Sequence, residues 1–417
     1  MRWGIWLAGA LTLATPQTQV LGAADDGSHY LQLYDSLWAT VNDNYYDPEL
    51  NGVDWGAVRE RYRARARAAG SDADFAALAS EMLRQIGSSH LGILPPARAT
   101  GGAGIGVRLL ELDGETILSE VAPLSDAWHQ GLRPGARLLA PAADLRGPLG
   151  EREAVPIEHC DGRHEMVEVR REQAFWPPER PGFRWHQIRT ASDARIGYMR
   201  IDRFDDGAAA LADQAMADLS EAKAIIIDLR GNTGGNASAL RLASYFTSRA
   251  GPSFALLART YLDRLGRAPT AADIAAAPRV ERAYTDAAVF EAVTSNGGGA
   301  VFWTEQVSDH YARPVYLLLG PETGSAAEGF AWHMRLRTHA RLIGRPTEGA
   351  LLSADNLDIG HGWSVTVPVH GIWGPDGEDF GDRAVEPHET VEWTRADYCS
   401  GRDPDLAAAL QRAQAER

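Results

Sequence analysis

The chain has 417 residues, 45% hydrophobic and 23% charged, the composition of a soluble globular protein long enough for two or three domains. Its 41 basic and 56 acidic residues leave a net charge of −15, which argues against nucleic acid or an anionic membrane as its main partner. Lys223 is the only lysine, and arginine stays protonated at any working pH, so a mechanism built on a neutral lysine has a single candidate.

Residues 1–23 read as a secretory signal peptide. Arg2 precedes a short apolar run, small residues follow at Gly22-Ala23-Ala24, and the run is too short for a membrane span. The expected mature protein is exported, periplasmic or extracellular, without stable membrane insertion. In such a compartment Cys160 and Cys399 could form a disulfide; two separate buried thiols fit the sequence as well. Residues 28–95 are predicted to be helical, because the segments from Tyr30 and from Phe75 carry apolar residues at helical spacing. Gly87 then stands where a C-cap glycine would end the second of them.

Over 101–172 the texture changes to short strands and turns. Residues 104–110 and 116–121 are strand-like, and Ser125 to Gly135 reads as a short helix closed by a glycine turn. From about 185 to 415 strands and helices alternate, which favours an α/β core. Residues 224–229 read as a fully buried strand that runs into Arg230-Gly-Asn-Thr-Gly-Gly235. The alanine-rich stretch 264–300 reads as an inserted helical excursion, a lid or an oligomer contact.

The most informative stretch is Pro314-Val-Tyr-Leu-Leu-Leu-Gly-Pro-Glu-Thr-Gly-Ser325-Ala-Ala-Glu328: a buried strand, a tight turn, and a serine opening a helix. A hydroxyl there lies beside unpaired N–H groups and the positive end of a helix dipole, a setting that stabilises a developing oxyanion. Ser-x-x-Glu is also a capping-box pattern, in which Ser325 and Glu328 simply close a helix N-terminus.

Taken in order, these parts resemble the serine peptidase family that includes the tail-specific (C-terminal-processing) proteases and the catalytic core of tricorn protease. The resemblance runs through Asp54-Trp55 and Ser89-His90, Gly104-Ile-Gly-Val107 to Gly135, Ile227-Asp-Leu-Arg-Gly-Asn-Thr-Gly-Gly235, Thr323-Gly-Ser325, Gly344-Arg-Pro-Thr-Glu-Gly349 and Val385-Glu-Pro387. It implies an α/β fold with a crotonase/ClpP-like ββα core, an N-terminal helical region and a PDZ-like β domain.

Tail-specific proteases pair the nucleophile with a lysine 25 residues downstream; here that position is Ala350, and Lys223 does not match the motif. Tricorn-like members use a histidine preceded by a serine, and Ser89-His90 matches that pair. The resemblance therefore implies Ser325 as nucleophile, His90 as general base and Ser89 as an orienting residue. It also implies an oxyanion hole of backbone N–H groups from Ala326 and from Gly234 or Gly235.

Gly381 stands where the family has its late acid. Glu378, Asp379 or Asp382 could supply the carboxylate; alternatively it is absent. Gly104, Ile105, Gly106 and Val107 are the expected carboxylate loop of the PDZ-like domain, for binding a peptide C-terminus by strand addition. No metal or other cofactor is implied, and no oligomeric state.

The expected function is hydrolysis of polypeptides by an exported serine endopeptidase. Two other readings share the scaffold: a peptide-binding protein weakened by a missing acid, and a hydrolase of small esters or amides, which a narrow pocket sealed by 264–300 would favour.

Overall fold

The computed structural model describes residues 28–96, 102–141, 145–172, 182–190 and 193–415; the predicted signal peptide lies outside them. The first elements are the helices α1 (Ser28–Asn44), α2 (Trp55–Arg67) and α3 (Asp72–Leu83). The Asp54 and Ser71 side chains cap α2 and α3 by accepting from the Ala57 and Asp74 N–H groups, which satisfies donors that no helical carbonyl can reach. In α1 the residues Leu33, Leu37 and Val41, each one turn apart, are fully buried. After a 3₁₀ turn over Arg84–Ile86, Gly87 reverses the chain at φ 67°, a conformation a side chain would strain. Strand β1 (Gly92–Leu94) follows.

The next segment comprises β2 (Gly102–Ala103), β3 (Val107–Leu112), β4 (Glu115–Val121), the single-turn helix α4 (Asp126–His129), β5 (Arg137–Leu138), β6 (Gly147–Pro148), β7 (Arg152–Glu158) and β8 (His164–Arg170). Among the described residues β3, β4, β5, β7 and β8 form one antiparallel sheet. Alternate residues such as Val155 and Ile157, or Val167 and Val169, fill its own small core.

The remainder is α/β. Its elements are β9 (Phe183–Arg189), β10 (Arg195–Ile201), α5 (Ala208–Leu219), β11 (Ala224–Asp228), α6 (Ala239–Phe246), β12 (Pro252–Ala258), α7 (Arg259–Leu265), α8 (Ala271–Ala276), β13 (Arg279–Val280), α9 (Asp286–Ser295), β14 (Gly299–Trp303), β15 (Val315–Leu319), α10 (Ala326–Arg337), β16 (Arg341–Gly344), β17 (Ser353–Gly360), β18 (Trp363–Trp373), β19 (Glu389–Thr390), α11 (Arg395–Ser400) and α12 (Pro404–Ala415). One sheet runs β19-β16-β15-β11-β10-β9, parallel except for β9. The other runs β1-β18-β12-β14-β13, with β17 also on β18.

The two sheets enclose a layer of α5, α6 and α10, where Ile225, Ile227 and Leu317 of one sheet and Leu256 and Ile372 of the other share a core. The outer face of the first sheet is covered by α12 through Ala409 and Ala413, and that of the second by the N-terminal helices. Strand β11 is apolar on both faces because both are covered; each buried isoleucine there contributes roughly 1.5–3 kcal/mol. The stretch 264–300 holds α8 and α9, but its last residues, Gly299 and Ala300, already belong to β14 and pair with β12.

Candidate active site

Strands β11 and β15 are parallel neighbours, so the loops at their C-terminal ends face each other. In an open α/β sheet this crevice is where ligands are held. The β15 loop ends in Ser325, whose φ of 51° and ψ of −125° lie outside the wells of an ordinary residue. Such geometry in a strand-to-helix turn lifts a hydroxyl clear of its neighbours. Ser325 and Glu328 stand in capping-box register, with the Glu328 N–H donating to the Ser325 carbonyl oxygen at 2.8 Å. In return the Ser325 N–H donates to Glu328 Oε2 at 3.1 Å.

Glu328 is buried and accepts three more bonds: from the Thr347 hydroxyl, from Gly349 N–H at 2.7 Å and from Ala350 N–H at 2.8 Å. Burial raises its carboxyl pKa, against the pull of those donors. The carboxylate thus ties the serine turn to the 347–350 loop. Ala350 takes part through its backbone: its carbonyl accepts from the Ser325 N–H at 3.0 Å. Lys223 precedes β11 at the end of the strand opposite the site, roughly 16 Å of strand away.

The β11 loop approaches from the other side. A Cβ on Gly234 would meet Ser325 Cβ at 2.5 Å, and one on Gly235 would meet the Phe204 carbonyl oxygen at 1.8 Å. Only glycine fits at either place. The Gly234 N–H donates to Asn232 Oδ1 at 2.8 Å, so it is engaged within its own turn. The N–H groups of Gly235 and Ala326 have no hydrogen-bond partner among the described residues.

His90 comes from the far end of the chain. β1 pairs with β18, which carries the segment just before it, Ser88-Ser89-His90, to the rim of a cavity of about 400 Å³ that Ser325, Ala326 and Gly235 also line. Like Ser325, His90 has a positive φ, 56°. Ser89 Oγ lies 3.1 Å from His90 Nδ1, which leaves Nε2 as the other ring nitrogen for chemistry. Burial lowers the His90 pKa, while the charges of Glu348 and Asp382 oppose that shift.

Of the three acids named from the sequence, Asp382 reaches this segment: its Oδ1 accepts from the Ser89 N–H at 2.9 Å. Glu378 pairs with Arg383 at 2.6 Å. Asp379 accepts from the Gly381 N–H at 2.8 Å, and burial raises its pKa. Gly381 itself accepts from Leu351 N–H through its carbonyl.

The segment Gly104 to Val107 lies elsewhere. It enters β3, with Ile105 buried in the β-sheet unit's own core, and does not line the cavity. The β-sheet unit touches the nucleophile turn through Arg108, 3.7 Å from Glu322. Sequence reading passed over Glu348 and gave Glu328 only as a capping partner. Glu348, one residue after Thr347, places its carboxylate over Gly324; Glu328 acts as a tether in addition to its place in the capping box.

Residues 195–391 match the model of peptidase family S41, and residues 27–84 match that of the tricorn protease C1 domain. The chain is a serine peptidase that carries an S41 domain over residues 195–391. A putative tricorn protease homolog of Streptomyces coelicolor is 26% identical over 94% of this chain but only 33% of its own length. The chain thus spans about a third of that relative. A carboxyl-terminal-processing protease of Synechocystis is 26% identical over 97% of this chain and 90% of its own.

Among solved structures, the photosystem II D1 C-terminal processing protease (18% identity, TM-score 0.57) and mature CPAF complexed with lactacystin (14%, 0.67) each match 93% of this chain and 98% of their own. They share the mixed α/β fold of this S41 peptidase. Among its described residues no helix is long and apolar enough to cross a membrane.

Proposed function

We propose that this peptidase is an exported endopeptidase that cuts polypeptides through an acyl-enzyme on Ser325. The observation that carries the reading is the common cavity of Ser325 and His90, brought together from distant parts of the sequence by the β1–β18 pairing. His90, whose pKa partial burial lowers, takes the Ser325 proton as the hydroxyl attacks the carbonyl, then returns it to the leaving amine. The Gly235 and Ala326 N–H groups stabilise the oxyanion. Ser89 orients the imidazole, and Asp382 holds Ser89 by its backbone. Water then attacks the ester and frees Ser325.

A carboxylate at Ser89 counts against a merely peptide-binding protein. The joined Cys160 and Cys399 fit an oxidising, exported setting. The β3–β8 unit serves as a PDZ-like module that presents a peptide C-terminus. One observation favours the small ester or amide as substrate: α9 brings Asp286 and Val289 onto the cavity wall, narrowing it.

The test is labelling with a fluorophosphonate probe. Wild type is expected to label, and Ser325→Ala and His90→Ala to lose it. Folded wild type that stays unlabelled would sink the mechanism. Comparing casein with p-nitrophenyl butyrate as substrates separates the two substrate classes.

A further inference from the structure

The second sheet presents one face to the layer that holds the nucleophile. Along β12 that face carries Phe254 and Leu256, and along β18 it carries Ile372, all three lining the reaction cavity. Two residues before Ile372, on the same face by strand alternation, stands His370. It is 8% exposed, and its register partner on β17 is Ser353. His370 Nδ1 lies 3.0 Å from Ser353 Oγ, and Ser353 lines the cavity together with Ser325 and His90. The register slips between Ser353 and Ala354, an irregularity of the kind that re-aims a strand side chain.

Of the cavity's other polar residues, Thr233 is exposed on the β11 loop, and the rest are otherwise placed. Arg203, Asn236 and Asp286 also line an adjoining groove with Asp205 and Asp206, and Asn236 is bonded to Asp206 and to the Ser238 N–H. A serine hydroxyl has one donor and two acceptor sites; the imidazole occupies one and fixes the rotor, leaving the others for a ligand. Burial keeps His370 neutral, so the pair adds no charge to the wall.

We propose that Ser353, positioned by His370, is a specificity-determining residue. It selects, on the acyl side of the cleaved bond, a side chain with a short aliphatic stem ending in a hydroxyl or an amide. That side chain is the one attached next to the attacked carbonyl, so it enters the cavity that Ser325 lines. Its stem packs on Leu256 and Ile372, and its terminus meets Ser353. This inference rests on the peptidase reading above.

The experiment is cleavage-site profiling of a synthetic peptide library by mass spectrometry, using the full chain, with fluorophosphonate labelling of wild type run alongside. In wild type, Thr, Asn and Gln on the acyl side are expected to be preferred over Val and Leu by about tenfold, the worth of one well-placed hydrogen bond. Ser353→Ala loses that preference, and His370→Leu weakens it. His370→Asn, whose amide can stand in for Nδ1, retains most of it, which a purely structural histidine would not do. A Ser353→Ala profile that superimposes on wild type, or a wild-type profile confined to apolar residues, overturns the proposal while labelling leaves the peptidase reading intact. Wild type that neither labels nor cuts overturns both.

Discussion

His90 and His333 show how differently two histidines of one chain are used. His333 is enclosed between Thr247 and Ser253, and burial pushes its pKa down to about 3; it is a packing residue. His90 is half-buried at a cavity rim, and its ring nitrogen is bonded to the preceding serine. In its proposed role as general base it works only when unprotonated, so activity is expected to fall as pH drops through its pKa. Burial sets that pKa below the ordinary histidine value of 6.5. The acid limb of kcat/KM is therefore expected below 6.5. Asp382→Asn removes a charge that raises the pKa, so the limb moves lower still. Turnover should drop about 10- to 100-fold, because the imidazole is held less well. A pH–rate profile of the two proteins checks both; a limb that moves upward would contradict the assignment.

Ser89-His90 and Ser325 could be singled out in the sequence because each belongs to a short, ordered motif. The proposed acid could not: Asp382, the candidate that bonds the Ser89 N–H, lies one residue beyond the position a strict alignment indicates. What selects it is the path of the 379–382 turn, in which Asp379 is engaged with the Gly381 N–H.

At the scale of elements, β11 and β15 were legible as continuous apolar runs, since strands covered on both faces need no alternation. Two-residue strands such as β13 and β19 leave no periodic trace at all. The Asp228-Leu-Arg-Gly loop had a visible pattern whose purpose was not local. Asp228 is fully buried, with Oδ2 accepting from Tyr198 at 2.6 Å and from Arg230 at 2.7 Å. Arg230 in turn grips both oxygens of Asp403 at 2.7 Å. Burial works to raise the Asp228 pKa, but Arg230, together with Arg200 and Tyr198, outweighs it and holds the carboxyl below its usual range.

The loop that carries Gly235, the proposed oxyanion donor, is thus clamped to the start of α12, a partner more than 170 residues away that no window of sequence could supply. Arg230→Ala leaves a buried charge without its nearest cation, with only Arg200 at 4.0 Å remaining. It is expected to cost about 3–5 kcal/mol, read by urea unfolding. Tyr198→Phe, which removes one hydrogen bond, should cost only about 1 kcal/mol. Similar losses for the two variants would mean that Arg230 is not the chief partner of Asp228.

Across the whole molecule the β3–β8 unit is bolted to the C-terminal region. Cys160 and Cys399 are joined across 239 residues of sequence, and Arg395 donates to the carbonyls of Gly135, Glu158 and His159 and to the Glu158 carboxylate. A side chain at Gly135 would strike Cys399 Sγ at 2.6 Å, so the turn expected to belong to a peptide-binding module is also a docking surface. The pairing of the cysteines was open in the sequence because nothing local brings residues so far apart together. Cys160→Ser with Cys399→Ser is expected to lower stability by about 2–4 kcal/mol, measured by denaturant unfolding of oxidised wild type against the double variant. Equal stabilities would mean that the arginine clamp alone holds the unit.

The β1–β18 ladder also sets a clock. Gly92 to Leu94, just after His90, find their partners only at Ser364 to Thr366, and Asp382 follows later still. A growing chain that has already produced its serine still lacks a seated base, and no earlier fragment can assemble one. With the proposed base, cutting power arrives only with the completed fold, and unfinished copies are expected to be inactive.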